Sequence, residues 1–118
     1  MLRTALAVFL FATPAIATDY AVGDTVTDPL QIATEVLADF NFAEEGRPEL
    51  SVNVSVDFFG AMTLLISETG FADDSVRGAR DQYVLSRRDG VWTITFAERQ
   101  YLCYRGTNTV TWQTGLCP

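Results

Sequence analysis

From Leu50 to Phe58 every second residue is apolar, and the residues between them are Ser, Asn, Ser and Asp. A strict period of two is typical of a strand with one face against a core and the other in solvent. The alternation resumes at Met62, Leu64 and Ile66. This pattern constrains the fold more than any other feature, because two such strands in succession predict an antiparallel sheet whose apolar face must be covered by another element.

The parity of these apolar positions predicts the register of a first hairpin. A three-residue loop at 59–61 places Phe58 opposite Met62 and Val54 opposite Ile66, which keeps both apolar sets on one face. A two-residue turn would send one of the two sets to solvent.

A second hairpin is predicted around Asp89-Gly90, a pair of residues typical of type I′ turns. When the strands pair evenly about this turn, the apolar residues on either side share one face, so turn chemistry and hydrophobic pattern agree. The predicted pairs are Leu85 with Ile94, Tyr83 with Phe96 and Arg87 with Trp92.

The same register, extended away from the turn, brings like charges together. It sets Asp81 against Glu98 and Arg80 against Arg99, and like charges directly opposite each other are unfavourable. Either the ladder ends or bulges at this point, or the four charges neutralise one another diagonally.

An amphipathic helix from about residue 29 to residue 43 is predicted to cover the sheet. Asp28 suits the N-cap, Pro29 suits the first helical position, and Gln31 completes a capping-box pattern. Apolar residues recur at helical spacing on one face of this segment: Leu30, Ala33, Val36, Leu37 and Phe40.

The chain has two cysteines, Cys103 and Cys117. We expect a disulfide between them, which would close a loop of about 15 residues and contribute roughly 3 kcal/mol in the chain-entropy model. Neither a C-x-x-C redox motif nor a histidine partner for a two-cysteine metal site is present. Val110 and Trp112 alternate like a short last strand, and we interpret Trp112 as a lid on the core rather than a platform for a ligand.

Together these elements predict the α+β fold class. We expect one N-terminal amphipathic helix packed on a four- to five-stranded antiparallel sheet, made of two hairpins and a disulfide-tied C-terminal strand. The segment 18–27 fits either a short first strand or a loose arm.

Residues 1–17 are predicted to be a cleavable signal peptide, and residues 18–118 a single domain. Arg3 supplies a positive n-region, an apolar run of eight residues ends at Ala12, and Ala15-Ile16-Ala17 fits a signal peptidase site. The apolar run is too short to span a bilayer. We therefore expect a periplasmic or secreted protein with no membrane span in the mature chain.

The chain is acidic, with a formal net charge of −7, no lysine and no histidine. This charge argues against nucleic acid or an anionic membrane as a partner. Residues 18–74 carry twelve acids against one arginine, whereas residues 75–118 carry six arginines against three acids. Two interpretations stay open: the arginines neutralise the carboxylates of the first half, or they line a groove for an anionic ligand.

A resemblance covers residues 73–117. The run D-D-S-V-R-G-A-R from Asp73, followed by D-G-V-W, C-Y-R-G, Trp112 and Cys117, resembles the C-terminal pattern of small exported bacterial proteins of uncharacterised function. The resemblance implies an antiparallel hairpin and an end closed by a disulfide, and it implies no activity.

The order of a helix followed by an antiparallel meander is similar to the cystatin and NTF2-like layouts, which host many functions. In a cystatin-like arrangement the hairpin tips, Phe59-Gly60 and Asp89-Gly90 with Trp92 nearby, would enter the cleft of a hydrolase. The Q-x-V-x-G loop and the Pro-Trp tip of cystatins are missing here. Inhibition of a secreted hydrolase is therefore an alternative hypothesis that rests on shape.

No catalytic residue, metal site or cofactor is predicted. The chain lacks histidine and lysine, and a disulfide would leave no free thiol, so the commonest bases and nucleophiles are missing. An enzyme using carboxylates alone would need two acids facing one cleft, for which Glu98 beside Asp81 is the candidate pair. The expected function is a non-catalytic exported domain that binds an unknown protein or small ligand.

The candidate binding residues are an acidic pair in the D-D-S-V loop and charged or aromatic residues of the C-terminal strands: Asp73, Asp74, Arg80, Glu98, Arg99 and Trp112. The acidic pair could bind Ca²⁺ together with Asp81 or Glu68, but nothing matches an EF-hand loop. We favour a turn capped by Asp73.

Overall fold

The computed structural model describes residues 20–40 and 46–118, and the predicted signal peptide lies outside these ranges. The described chain forms one five-stranded antiparallel sheet and one short helix, in the spatial strand order β1-β5-β4-β3-β2. The elements in chain order are β1 Thr25–Val26, α1 Leu30–Asp39, β2 Gly46–Val56, β3 Met62–Phe71, β4 Val76–Arg88 and β5 Val91–Cys103. Within the described ranges, no helix is both long and apolar enough to cross a membrane.

The segment before the helix supplies the fifth strand, which the sequence left open. Thr25 and Val26 pair with Thr93 and Trp92 of β5. The predicted C-terminal strand is wrong, because that segment contributes only an isolated bridge between Tyr101 and Gln113.

Helix α1 begins as the sequence indicates, but the predicted end at about residue 43 is wrong. The helix ends at Asp39, because the backbone of Phe40 is extended, with φ −68° and ψ 124°. The Asp28 carboxylate accepts a hydrogen bond from the Leu30 N–H at 3.0 Å. The predicted capping box does not form, because the Gln31 side chain donates to Glu35 at 3.1 Å. That contact joins residues one turn apart on the helix surface.

The core lies between the helix and one face of the sheet. Ile32 and Val36 of the helix belong to one buried cluster with residues of four strands: Val26, Leu64, Ile66, Tyr83, Leu85 and Ile94. Tyr20 extends this layer, since its ring lies edge-on to Tyr83 at 6.4 Å and its hydroxyl donates to Glu35 at 2.9 Å. Burial and the hydrogen bond to Glu35 raise the pKa of Tyr20.

The first hairpin keeps the predicted face but not the predicted register. Val56 pairs with Met62 and Val54 pairs with Leu64, two residues away from the expected partners. The predicted pairing of Phe58 with Met62 is wrong because the loop has five residues, 57–61, closed by hydrogen bonds to Asp57. A shift of two residues preserves parity, so the apolar side chains still share one face.

The second hairpin confirms the pairs nearest its turn, Leu85 with Ile94 and Arg87 with Trp92. Asp89 and Gly90 both have positive φ, at 52° and 78°, as a type I′ turn requires. Beyond Ile94 a β-bulge leaves Thr95 without a partner residue, and its hydroxyl donates to the Val84 carbonyl at 3.2 Å.

The bulge makes the outer part of the predicted register wrong. Tyr83 pairs with Ala97, and Phe96 pairs with Val84 on the other face. One extra residue on one strand inverts the alternation from that point onward. Of the alternatives for the predicted conflict between like charges, the bulge is the one that occurs. It places Asp81 opposite Arg99 instead of Glu98.

The disulfide between Cys103 and Cys117 is confirmed, with Cα atoms 5.4 Å apart. The chain between them crosses the sheet face that lies opposite the helix, where Trp112 lies against Gly78 and beside Arg80. Trp112 is thus half-buried and covers the second face of the sheet rather than the core beneath the helix.

Candidate functional site

The tip of the first hairpin, residues 57–61, is held by a network centred on Asp57. One carboxylate oxygen accepts hydrogen bonds from the N–H groups of Phe59 at 2.8 Å and Ala61 at 2.9 Å. The backbone of Asp57 also accepts from Gly60 at 3.1 Å and donates to Ala61 at 2.9 Å. Gly60 has φ of 83°, a conformation that glycine adopts without strain. The tip is therefore a closed turn of defined shape.

This turn presents two aromatic rings to solvent. Phe58 is 98% exposed and Phe59 is 92% exposed. The rings contact only edge to face, with centroids 5.6 Å apart. A phenylalanine side chain carries one of the largest hydrophobic surfaces in a protein, and adjacent exposed apolar groups mark interaction surfaces. The tip is the most prominent candidate contact surface of the described chain.

The apolar surface continues from the tip along β2. Val52, Val54 and Val56 are between 42% and 59% exposed, because the helix covers the central strands and not this edge. The tip lies at the same end of the sheet as the Asp89-Gly90 turn, since two antiparallel strands, β3 and β4, separate the two turns.

The sequence pattern does not identify Phe58 as exposed, because its alternation places this residue inside the strand on the core face. The signal that could have found it is Asp57 three residues before Gly60. An aspartate at the start of a turn accepts hydrogen bonds from the backbone ahead of it, and glycine then supplies the positive φ.

Three of the predicted binding residues, Arg80, Glu98 and Trp112, lie together on the second face. The Arg80 Nε donates to the Gln100 side-chain oxygen at 2.8 Å, and a second guanidinium N–H donates to the same oxygen. The Gln100 amide donates to Glu98 at 2.6 Å. The guanidinium carbon of Arg80 lies 4.7 Å from the Trp112 ring centre, a cation–π contact.

This cluster fastens the C-terminal segment to the sheet. Burial lowers the pKa of the Arg80 guanidinium, and the Glu98 carboxylate raises it in part. Nearby, an Arg77 guanidinium N–H donates to the Thr109 carbonyl at 2.7 Å. Both arginines therefore have partners within the chain, which favours a structural role over an open groove for an anion.

Arg99, the fourth predicted binding residue, lies on the opposite face from Glu98. Its Nε is 3.4 Å from an Asp81 carboxylate oxygen, an ion pair without hydrogen-bond geometry. The predicted convergence of Glu98 with Asp81 is wrong, because the bulge turns Glu98 to the second face beside Gln82. Burial raises the pKa of the Asp81 carboxyl, and Arg99 offsets this only in part.

Asp81→Asn should therefore change how stability depends on pH. The folded chain holds the proton of Asp81 more tightly than the unfolded chain. This residue accordingly stabilises the fold most below its unfolded pKa, and the contribution is lost as the pH rises through the folded-state pKa. We expect the Tm of wild type, relative to the variant, to fall between about pH 4 and neutral pH. Thermal unfolding of both proteins across this range measures the difference in Tm. A Tm of wild type that rises relative to that of the variant as the pH increases would contradict the expectation.

The acidic pair forms the turn between β3 and β4. One Asp73 carboxylate oxygen accepts from the N–H groups of Ser75 at 2.6 Å and Val76 at 2.8 Å. These two hydrogen bonds lower the pKa of Asp73, and the one from Val76 has the larger effect. An Asp74 carboxylate oxygen lies 3.8 Å from a guanidinium nitrogen of Arg105, and both side chains are exposed. Asp73 thus caps this turn, as predicted. Among the described residues no three acid, cysteine or histidine side chains converge as a metal site.

No protein-family model, curated protein sequence or solved structure matches the chain.

Proposed function

We propose that this protein is an exported, non-catalytic interaction protein that contacts a partner protein through the 57–61 tip. The observation that carries this proposal is the near-complete exposure of Phe58 and Phe59 on a turn closed by Asp57. Aromatic side chains dominate the energetics of protein interfaces. A turn that is already ordered also loses little conformational entropy on binding.

A paired substitution tests this proposal. Phe58→Ser with Phe59→Ser should remove partner binding and leave Tm unchanged, because neither ring is buried in the domain. The matched control is Val110→Ser with Leu116→Ser. These apolar side chains are 81% and 80% exposed and lie in the C-terminal segment, away from the tip.

The measurement is capture of envelope and secreted proteins from the source cells, quantified by mass spectrometry. Proteins retained by wild type and by the control should be depleted about tenfold with the tip variant, as expected when an aromatic residue central to an interface is lost. Equal retention by the tip variant would overturn the proposal.

A second candidate function is inhibition of a secreted hydrolase. It is favoured by the position of the 57–61 tip and the Asp89-Gly90 turn at one end of the sheet, where β1 also pairs with β5. Two turns and an N-terminal segment at one end form a wedge-like edge. Titration of secreted hydrolases with the purified protein tests it. Inhibition that saturates at equal molar amounts and is lost in the tip variant supports it, and full activity throughout the titration excludes it.

Export is part of the proposal and rests on Arg3, the apolar run and Ala15-Ile16-Ala17. The disulfide is compatible with a periplasmic or secreted location. The intact mass of the protein recovered outside the cytoplasm should correspond to a chain that begins at Thr18. Recovery of a chain that retains Met1 would contradict export by cleavage.

A further inference from the structure

Strand β2 lies at the edge of the sheet that the described residues form. It pairs with β3 on one side, and none of the described residues pairs with its other side. It spans eleven residues, and every residue from 51 to 60 is exposed. Edge strands of this length usually carry protective features such as lysine, proline or a bulge. Here Pro48 and the irregular pairing lie at the beginning of the strand, and the rest is regular.

The regular part, residues 50–56, is uncharged and nearly palindromic. Its sequence is L-S-V-N-V-S-V, in which S-V-N-V-S reads the same in both directions about Asn53. An interface between two identical chains related by a two-fold axis must be complementary to itself. An antiparallel pair of palindromic strands meets this condition, because each residue type faces its own kind.

The face pattern agrees with the same pairing. A two-fold axis at Asn53 pairs Leu50 with Val56, Ser51 with Ser55, Val52 with Val54, and Asn53 with itself. Even-numbered residues then stay on one face, so the half-exposed valines of both copies form one apolar strip on the helix side of the sheet. In the single chain this strip is left uncovered by α1.

We propose that the outer edge of β2 binds β2 of a second copy of this chain, giving a continuous ten-stranded sheet with its two-fold axis at Asn53. The two 57–61 tips then lie at opposite ends of the shared strands, roughly 27 Å apart at 3.4 Å per residue. The pairing also sets Asp57 against Glu49 of the second copy. Like charges face each other there, so the dimer strengthens as salt screens them.

Cysteine substitution tests the register. Asn53→Cys places two thiols directly opposite each other, with Cα atoms about 4.5–5.5 Å apart, which a disulfide can span. Ser51→Cys is the matched control on the same strand and face, because the axis separates its two copies by four residues, about 13 Å. Non-reducing electrophoresis after mild oxidation should show a cross-linked dimer for the first variant and a monomer for the second.

Light scattering and analytical ultracentrifugation of the purified protein test the assembly itself. Wild type should be a dimer that tightens with added salt, and Asn53→Lys should weaken it at least about tenfold by placing two charges on the axis. Thr114→Lys adds the same charge elsewhere on the surface and should change nothing. Three results would each overturn the proposal. The wild type could stay monomeric up to about 0.5 mM, the dimer could be as stable with Asn53→Lys as without it, or both cysteine variants could cross-link equally. The aromatic tip is intact in each of these variants, so these outcomes are separate from the test of partner binding.

Discussion

Leu64→Ala should lower the free energy of unfolding by about 3 kcal/mol, since truncation of a fully buried leucine costs roughly 2–5 kcal/mol. Leu64 is fully buried and lies on the interior strand β3, between Val54 of β2 and Tyr83 of β4. It belongs to the same buried cluster as Ile32 of the helix. The cavity would therefore open in the layer that joins the helix to the sheet, where the surrounding strands restrict collapse.

Urea denaturation followed by circular dichroism measures this loss. The matched control is Leu116→Ala, the same change at a side chain that is 80% exposed, for which we expect less than about 0.5 kcal/mol. A loss below about 1 kcal/mol for Leu64→Ala would show that the helix does not hold the sheet as described.

Loss of the disulfide should cost a similar amount, about 3 kcal/mol, for a bond that closes a loop of this length. Cys103 and Cys117 are 14 residues apart, and the segment between them includes Trp112. Without the bond, that segment is attached only by non-covalent contacts, among them the Tyr101–Gln113 bridge, the Arg80–Trp112 contact and the Arg77–Thr109 hydrogen bond. We expect it to loosen before the sheet unfolds.

Cys103→Ala with Cys117→Ser removes the bond while avoiding a buried hydroxyl at the fully buried position 103. Unfolding should shift equally in this variant and in wild type treated with a thiol reductant, and the variant itself should be indifferent to the reductant. The tryptophan emission of Trp112 should move towards that of a solvent-exposed ring. A wild type whose unfolding is unchanged by complete reduction would contradict the assigned role.

The sequence predicts the parts of the fold that depend on local chemistry. Asp89-Gly90 defines its turn because type I′ geometry requires positive φ at both positions, and the pairs next to it are confirmed. The beginning of the helix follows from Asp28 and Pro29 in the same way. In the first hairpin, alternation predicts which face is apolar, but the pairing itself depends on loop length.

The errors in the registers of the two hairpins have one physical origin, the length of chain between paired residues. At the first tip, hydrogen bonds to Asp57 stabilise a five-residue loop, which moves Phe58 out of the core and into solvent. At Thr95, one additional residue exchanges the faces of Glu98 and Arg99. Periodicity in a sequence does not report such insertions, although the conflict between like charges includes a bulge among its possible solutions.

The bulge at Thr95 also has a consequence for how this strand can vary among related chains. Substitution at position 95 leaves the order of faces unchanged, whereas deletion of that residue would exchange the faces of every later residue in β5. Arg99 would then turn away from the helix side, and Asp81 would lose its ion pair. Gln100 would turn away from the other side, and Arg80 would lose its hydrogen bond to Gln100. We therefore expect β5 to tolerate changes of residue type at position 95 far better than changes of length. We expect a related chain that lacks this residue to carry different charged residues on β4.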